Sequence, residues 1–339
     1  MAEHPAGIPR PIALAVLVPV GAAAVAVSLT ALSARGAAIQ ITGTLVGLAM
    51  AYFGIDALLR RLRPQTTQTG IWFASAWLAV VAISALAVNL LPLSEFLDPG
   101  TALTTPSRLR PDLLSAHPLG TDSQGLDILG GVISGARVSL QVSLLAVLVG
   151  GVVGGFIGMV AGLYQGRVDR LIGTFTDSLL AFPPLILLLA AVTFLSPQVG
   201  TIGLALAVVT IPTYVRLARA NTLTLVEREF IAAARLMGAT NRRIIFRELL
   251  PNIVRPVVAY SFVIVAVLIV AEASLSYLGV GIARPTPTWG NMIAAGQQEY
   301  ERNPHLVFAP GIVMFLTVFA LNQVGDWARK AWDPRDSQI

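Results

Sequence analysis

Apolar and polar positions fall along this chain in long blocks, not in the short alternations of a soluble fold. Apolar runs occupy residues 12–33, 38–59, 71–92, 138–163, 171–195, 199–215, 257–278 and 306–324. Most are long enough to cross a hydrocarbon core of ~30 Å at ~1.5 Å per residue, so about eight membrane-spanning helices are predicted. The first run has a competing reading as a secretory leader, with small residues near Ala31–Ala34 as its cleavage site. It exceeds the ~7–15 apolar residues usual in such leaders, and a second run follows at once. Long polar stretches break the pattern at 93–135, at 280–305 and between Glu227 and Pro256.

The stretch from Glu227 to Pro256 organises the C-terminal half. Phe230, Ala233, Ala234 and Met237 recur at i, i+3, i+4 and i+7 and share one face of a short helix. Gly238 is placed to stop it, because glycine adopts the left-handed cap cheaply. Thr240 or Asn241 can cap a second helix in which Ile245 and Leu249 share a face, with Pro251 marking its end or a kink. The product is a basic two-helix elbow between membrane spans. Small residues at Ala232, Ala233 and Ala234 let a partner approach the backbone, while Phe230 and Met237 offer apolar anchors. Competing readings are an interfacial helix on lipid, a plain connecting hairpin, and a basic helix-turn-helix for DNA. Spans on both sides argue against the last.

The spans carry their own signals. Gly150, Gly154 and Gly158 repeat every four positions and permit close helix–helix approach in lipid. Pro183 and Pro184 remove backbone donors inside the 171–195 run and should kink it. Asp177 at the hydrocarbon level costs ~2.5–3.5 kcal/mol on insertion scales, so it should face protein, water or an arginine. Glu272 and Ser276 lie toward the far end of 257–278 and, with Asp177, are candidates for a translocation path or gate. In the polar stretches Pro118, Gly120 and Gly125 make turns that Asp122 and Asp127 can order. His117 has no second histidine or cysteine nearby and reads as a hydrogen-bonding residue, so no metal site is expected. Trp72, Trp77 and Trp289 suit the membrane interface. Asn322 and Asp326 read as the surface end of the last helix.

Composition narrows the class. Of 339 residues 55% are hydrophobic and 12% charged, with a net charge of +5, which fits a polytopic all-α membrane protein. Absence of cysteine excludes disulfides and thiolate metal sites. In such a chain surplus arginine marks loop orientation and not nucleic-acid binding. Placing Arg10, Arg60–Arg63, Arg167, Arg170, the elbow and Lys330 in the cytoplasm lets the spans alternate, with both termini inside and 93–135 and 280–305 outside; Arg35 is a minor exception.

Four stretches carry a family resemblance. AAARLMGA followed by LLPN, residues 232–239 and 249–252, resembles the EAA loop of binding-protein-dependent ABC importer permeases, with Ala232 standing where the family has glutamate. HPLGTDSQGLDILGGVISGARVSL, residues 117–140, resembles the opening of C-type subunits in the dipeptide/oligopeptide/nickel branch, with Leu126 in place of a basic residue. EASLSYLGVGIARPTPTWGNM at 272–292 and FALNQVGDWARKAWDPR near the C-terminus resemble that branch too. The resemblance implies a type I importer permease core at 136–339, preceded by a leading span and loop at 66–135. Residues 1–65 then form an extra transmembrane hairpin. It implies that 227–251 is a coupling helix for an ATPase subunit, with Phe230, Ala232, Ala233, Ala234, Arg235, Met237, Gly238, Ala239, Leu250 and Pro251 as docking residues.

The same resemblance implies a plasma-membrane translocation subunit of a peptide importer, with nickel or glutathione as alternative cargo. Its partners would be a second permease chain, two ABC ATPase subunits and an extracytoplasmic substrate-binding protein. The chain itself would bind no cofactor, ATP and Mg²⁺ residing on the ATPases. The residues agree on that point, since a G-x-x-x-x-G-K-[ST] phosphate loop needs a lysine and Lys330 lacks that context. A self-sufficient secondary transporter or channel would need paired ionisable groups at the bilayer midplane, which Asp56, Asp177 and Glu272 do not supply. An intramembrane enzyme lacks any H-E-x-x-H or comparable set.

Overall fold

The computed structural model describes residues 69–90, 105–112, 115–193 and 196–332. The predicted N-terminal hairpin, with its two runs and Asp56, lies outside them. Among the described residues the long helices are α1 (Thr69–Leu86), α2 (Ile128–Tyr164), α5 (Val199–Val226), α7 (Asn241–Tyr277) and α9 (His305–Ala331). Two shorter helices, α3 (Gly166–Leu180) and α4 (Pro184–Thr193), lie between α2 and α5. Another, α6 (Glu229–Leu236), precedes α7, and α8 (Trp289–Gly296) precedes α9. Five helices are long and apolar enough to span a membrane, six if α3 and α4 together count as one. Six apolar runs were predicted over these residues, so the correspondence is one to one.

The bundle is built on α2 and α5. A Cβ added at Gly154 would lie 2.6 Å from the Ile211 carbonyl oxygen, and one at Gly158 would lie 2.5 Å from that of Val215. Contacts advance in register from Gly150–Thr210 to Gly162–Thr222, so the two helices run in the same direction. Small residues here bring backbone against backbone, the packing that lipid favours because apolar side chains gain little by leaving it. Tyr214, fully buried on α5, shares a 2.8 Å hydrogen bond with Ser261 on α7.

Because α2 and α5 are parallel, α3 and α4 must carry the chain back across the bundle between them. They do so bent by 86° at Pro183-Pro184. The sequence predicted a kinked span; the structure turns it through a right angle. Two consecutive residues without an N–H, each also disfavouring helix in the residue before it, end α3 rather than bend it.

At one end of the bundle the polar segments are ordered by their own side chains. Asp122 accepts from the Gln124 and Leu126 amides, and Asp127 caps α2 by accepting from Gly130 N at 2.7 Å. His117 Nδ1 lies 3.4 Å from Asp127 Oδ1. Arg108 holds Glu299 through two 2.8 Å bonds, and Arg284 reaches Asp122 at 3.3 Å. The Arg108 guanidinium keeps the Glu299 carboxyl below the usual carboxylate range.

Two expectations need correction. Trp289 is fully buried, its indole N–H donating to the Val132 carbonyl at 3.0 Å, so it is a core residue and not an interfacial anchor. Within the 280–305 stretch Thr288 and Asn291 form a reciprocal capping box that starts α8. Asn322 and Asp326 do not end the last helix. Asn322 bonds back to the Val318 carbonyl, Asp326 pairs with Arg329, and α9 continues to Ala331.

Candidate functional site

The elbow lies at the end of the bundle opposite these polar segments. Its first arm, α6, ends as predicted at Gly238, whose φ of +80° places it in the left-handed region. Gly238 N donates to the Arg235 carbonyl and Ala239 N to that of Ala234, the paired bonds of a Schellman cap. A Cβ at Gly238 would meet nothing within 4 Å, so Gly238→Ala carries only the backbone penalty of about 1–2 kcal/mol. Hydrogen exchange should then quicken in α6 while the spans keep their protection.

The second arm is capped by Thr240, whose hydroxyl accepts from Arg243 N. It does not stop at Pro251. Leu250 N reaches back five residues to the Ile245 carbonyl, making a π-helical turn over Ile244–Leu249. The wider turn lets the helix pass Pro251, which has no N–H to give, and run on as the membrane span α7. The second arm and that span are one continuous rod.

The predicted apolar face divides in two. Ala234 is buried, and Ile231, buried on the same side of α6, packs with Ile244, Ile245 and Leu249 of α7, Met159 and Leu163 of α2, and Ala218 of α5. Phe230, Ala232, Ala233, Arg235, Met237 and Gly238 face outward; Leu250 and Ala239 are half-buried and Pro251 is exposed. The sequence reading missed Leu236, which is 90% exposed beside Met237 at 77%. Its signal was available: Leu236 falls off the i, i+3, i+4 stripe on which the buried residues lie. The outward face is thus an apolar ridge of Leu236 and Met237 flanked by alanines, on a helix rooted in three spans.

The three path candidates are not together. Asp177 is exposed on α3 and meets Arg216 of α5 at 2.6 Å, an arginine being one of the three surroundings expected of it. Glu272 and Ser276 are sealed inside. The Glu272 carboxyl accepts from Ser139 at 2.8 Å, from Ser276 at 2.7 Å and from Thr288, which ties α2, α7 and the start of α8 together.

A multi-span helical bundle with a rigid, outward-facing apolar elbow on one end has the form of a transport permease subunit. Residues 154–337, more than half of the chain, match the family described as binding-protein-dependent transport system inner membrane component. The glutathione transport system permease protein GsiD of Pectobacterium atrosepticum is 39% identical over 228 residues, 67% of this chain and 76% of that protein. Its namesake from Escherichia coli O6:K15:H31 is 39% identical over 219 residues, covering 65% and 72%. Among solved structures, an inward-facing MetNI methionine ABC transporter superposes with a TM-score of 0.50 at 19% identity, over 60% of this chain and 96% of that one. The chain belongs to the family of binding-protein-dependent inner-membrane transport components and is a translocation subunit of an ABC importer.

Proposed function

We propose that this chain is one half of a heterodimeric pore that imports short peptides, driven by two ATPase subunits docked on the elbow and fed by an extracytoplasmic binding protein. The observation that carries the docking reading is the exposed Leu236–Met237 ridge on a helix whose other face is locked into α2, α5 and α7. Isolated apolar side chains on a surface mean little, but a ridge on a helix packed against the root of a span has mechanical purchase. Movement imposed on α6 reaches α7 directly through the π-helical turn, and the close-packed α2–α5 pair moves as a unit, so a push at the tip becomes a tilt of spans.

Orientation follows from charge. Arg167, Arg170, Arg228, Arg242, Arg243, Arg247 and Lys330 all lie at the elbow end, and such a concentration of basic residues supports a cytoplasmic elbow. Nucleotide and Mg²⁺ belong to the ATPases, and this chain performs no chemistry. Relatives named for glutathione transport support a peptide-sized, carboxylate-bearing cargo, glutathione itself being a tripeptide; nickel has no such support from them. Reconstitution tests the whole reading. Vesicles holding both permease chains, the ATPases and the binding protein should accumulate labelled dipeptide or glutathione only with ATP, and this chain alone should move neither. Uptake by the chain alone contradicts it.

A further inference from the structure

Between α3 and α5 lies a cleft of about 510 Å³ with charged walls, set between the α5 span and the bent α3–α4 pair. Arg219 grips Asp169 with two nitrogens, and Arg216 meets Asp177 at 2.6 Å with the two side chains 58% and 66% exposed. Arg170, also on the wall, has no ion-pair partner among the described residues. Three guanidiniums therefore face two carboxylates, a surplus of one positive charge.

Position makes this arrangement informative. Asp177 lies eleven residues past Gly166, or ~16 Å along α3 at ~1.5 Å per residue. Arg216, its partner, follows directly on the apolar run 199–215, so the charges lie toward the elbow end of the spans. Exposed charges beside apolar helices face water or protein and not lipid. Just beyond them α3 ends, and the exposed backbone at 181–184 is broken by Pro183-Pro184. Irregular backbone at membrane depth is tolerated only when buried in protein or lining water. The other side of α3, with Leu171 and Phe175 exposed at 74% and 68%, is apolar and suits lipid or a neighbouring chain. The charge thus lies on one face only, toward α5.

We propose that this cleft is a water-filled subsite of the translocation path that binds the carboxylate of a transported peptide. The cargo carboxylate takes the surplus Arg170 and opens the fork between Arg216 and Asp177; the cargo ammonium pairs with the Asp177 carboxylate so released. Exchange of one exposed ion pair for two costs little, because such pairs are worth only about 0–1 kcal/mol each. Cargo can therefore enter and leave, as transport requires. The volume falls in the range of ordinary small-molecule sites. This inference rests on the peptide-importer reading above.

The chain has no cysteine, so Thr174→Cys on the cleft wall gives a single label site with the unmodified chain as blank. The assembled transporter, in vesicles with the elbow end outward, would be treated with matched methanethiosulfonates, one bearing sulfonate and one trimethylammonium. The anionic reagent should react about tenfold faster. That preference should fall toward equality when Arg170→Gln and Arg216→Gln are added. Alanyl-alanine should slow the labelling, and its C-terminal amide should not. No labelling of a thiol that reacts after denaturation, equal rates for the two reagents, or equal protection by the amide would each overturn the proposal. Uptake of alanyl-alanine by the unmodified complex, measured alongside, separates the two failures. Uptake with labelling indifferent to peptide sinks the subsite alone, whereas absence of uptake sinks the peptide reading and the subsite with it.

Discussion

A leucine at Gly158 prevents the folded chain from accumulating in the membrane, whereas an alanine at Gly155 is tolerated. The Cβ of any residue at 158 falls 2.5 Å from the Val215 carbonyl oxygen and 2.8 Å from the Ala218 Cβ, and at least the first of these is backbone that cannot swing aside. A single methyl already forces α2 and α5 apart, a change of the overpacking kind that costs about 1–3 kcal/mol, and leucine costs more. Against a total stability of about 5–15 kcal/mol that is a large share. Gly155 has nothing within 4 Å of its would-be Cβ, so Gly155→Ala controls for the mere loss of a helical glycine. Folded yield by size-exclusion of a fluorescent fusion reads the difference. Equal yields for Gly158→Leu and Gly155→Ala would mean that α2 and α5 are not in backbone contact.

Glu272→Leu has the second-largest effect, and its reason is the donors it abandons. Ser139, Ser276 and Thr288 all turn hydroxyls to this buried carboxyl, and leucine accepts from none of them. Each stranded hydroxyl costs about 1–3 kcal/mol, although Ser139 and Ser276 can recover part of that by bonding carbonyls of their own helices. Glu272→Gln keeps the shape and one acceptor and should lose far less. Thermal unfolding of the solubilised protein should therefore rank the unmodified chain above Gln and Gln well above Leu. A leucine variant as stable as the glutamine one would show that the cluster does not hold α2, α7 and α8 together.

Both predictions concern contacts that the sequence announced only in outline. Long apolar runs located every described span and Gly238 gave the α6 stop, because these depend on local chemistry; that α2 begins at Ile128, ahead of the run at 138, was not read. Facing was harder to read. In lipid an outward leucine and a core leucine are equally apolar, so hydropathy does not separate them. Leu236 is a different case, since helical spacing set it off the buried stripe of α6, and Ala234 was assigned to the docking side although it is buried. Trp289 misled in the same way: an aromatic near a span end suits an interface, yet its N–H finds a carbonyl on α2 and its ring fills the core. The right angle between α3 and α4 needed knowledge that α2 and α5 are parallel, which no local pattern contains. Pro251 misled because a proline after a helical run usually ends it, and only the widened turn before it shows how the rod continues.

The central claim is that an ATPase seizes the outward ridge of α6 while the inward face merely roots it. Co-purification of the tagged chain with its ATPase partners measures this most directly, using Leu236→Asp and Met237→Asp in a complex whose second permease chain remains bound. The account predicts that ATPase is lost from the double variant while the permease pair stays intact. ATPase retained at the unmodified level would contradict it.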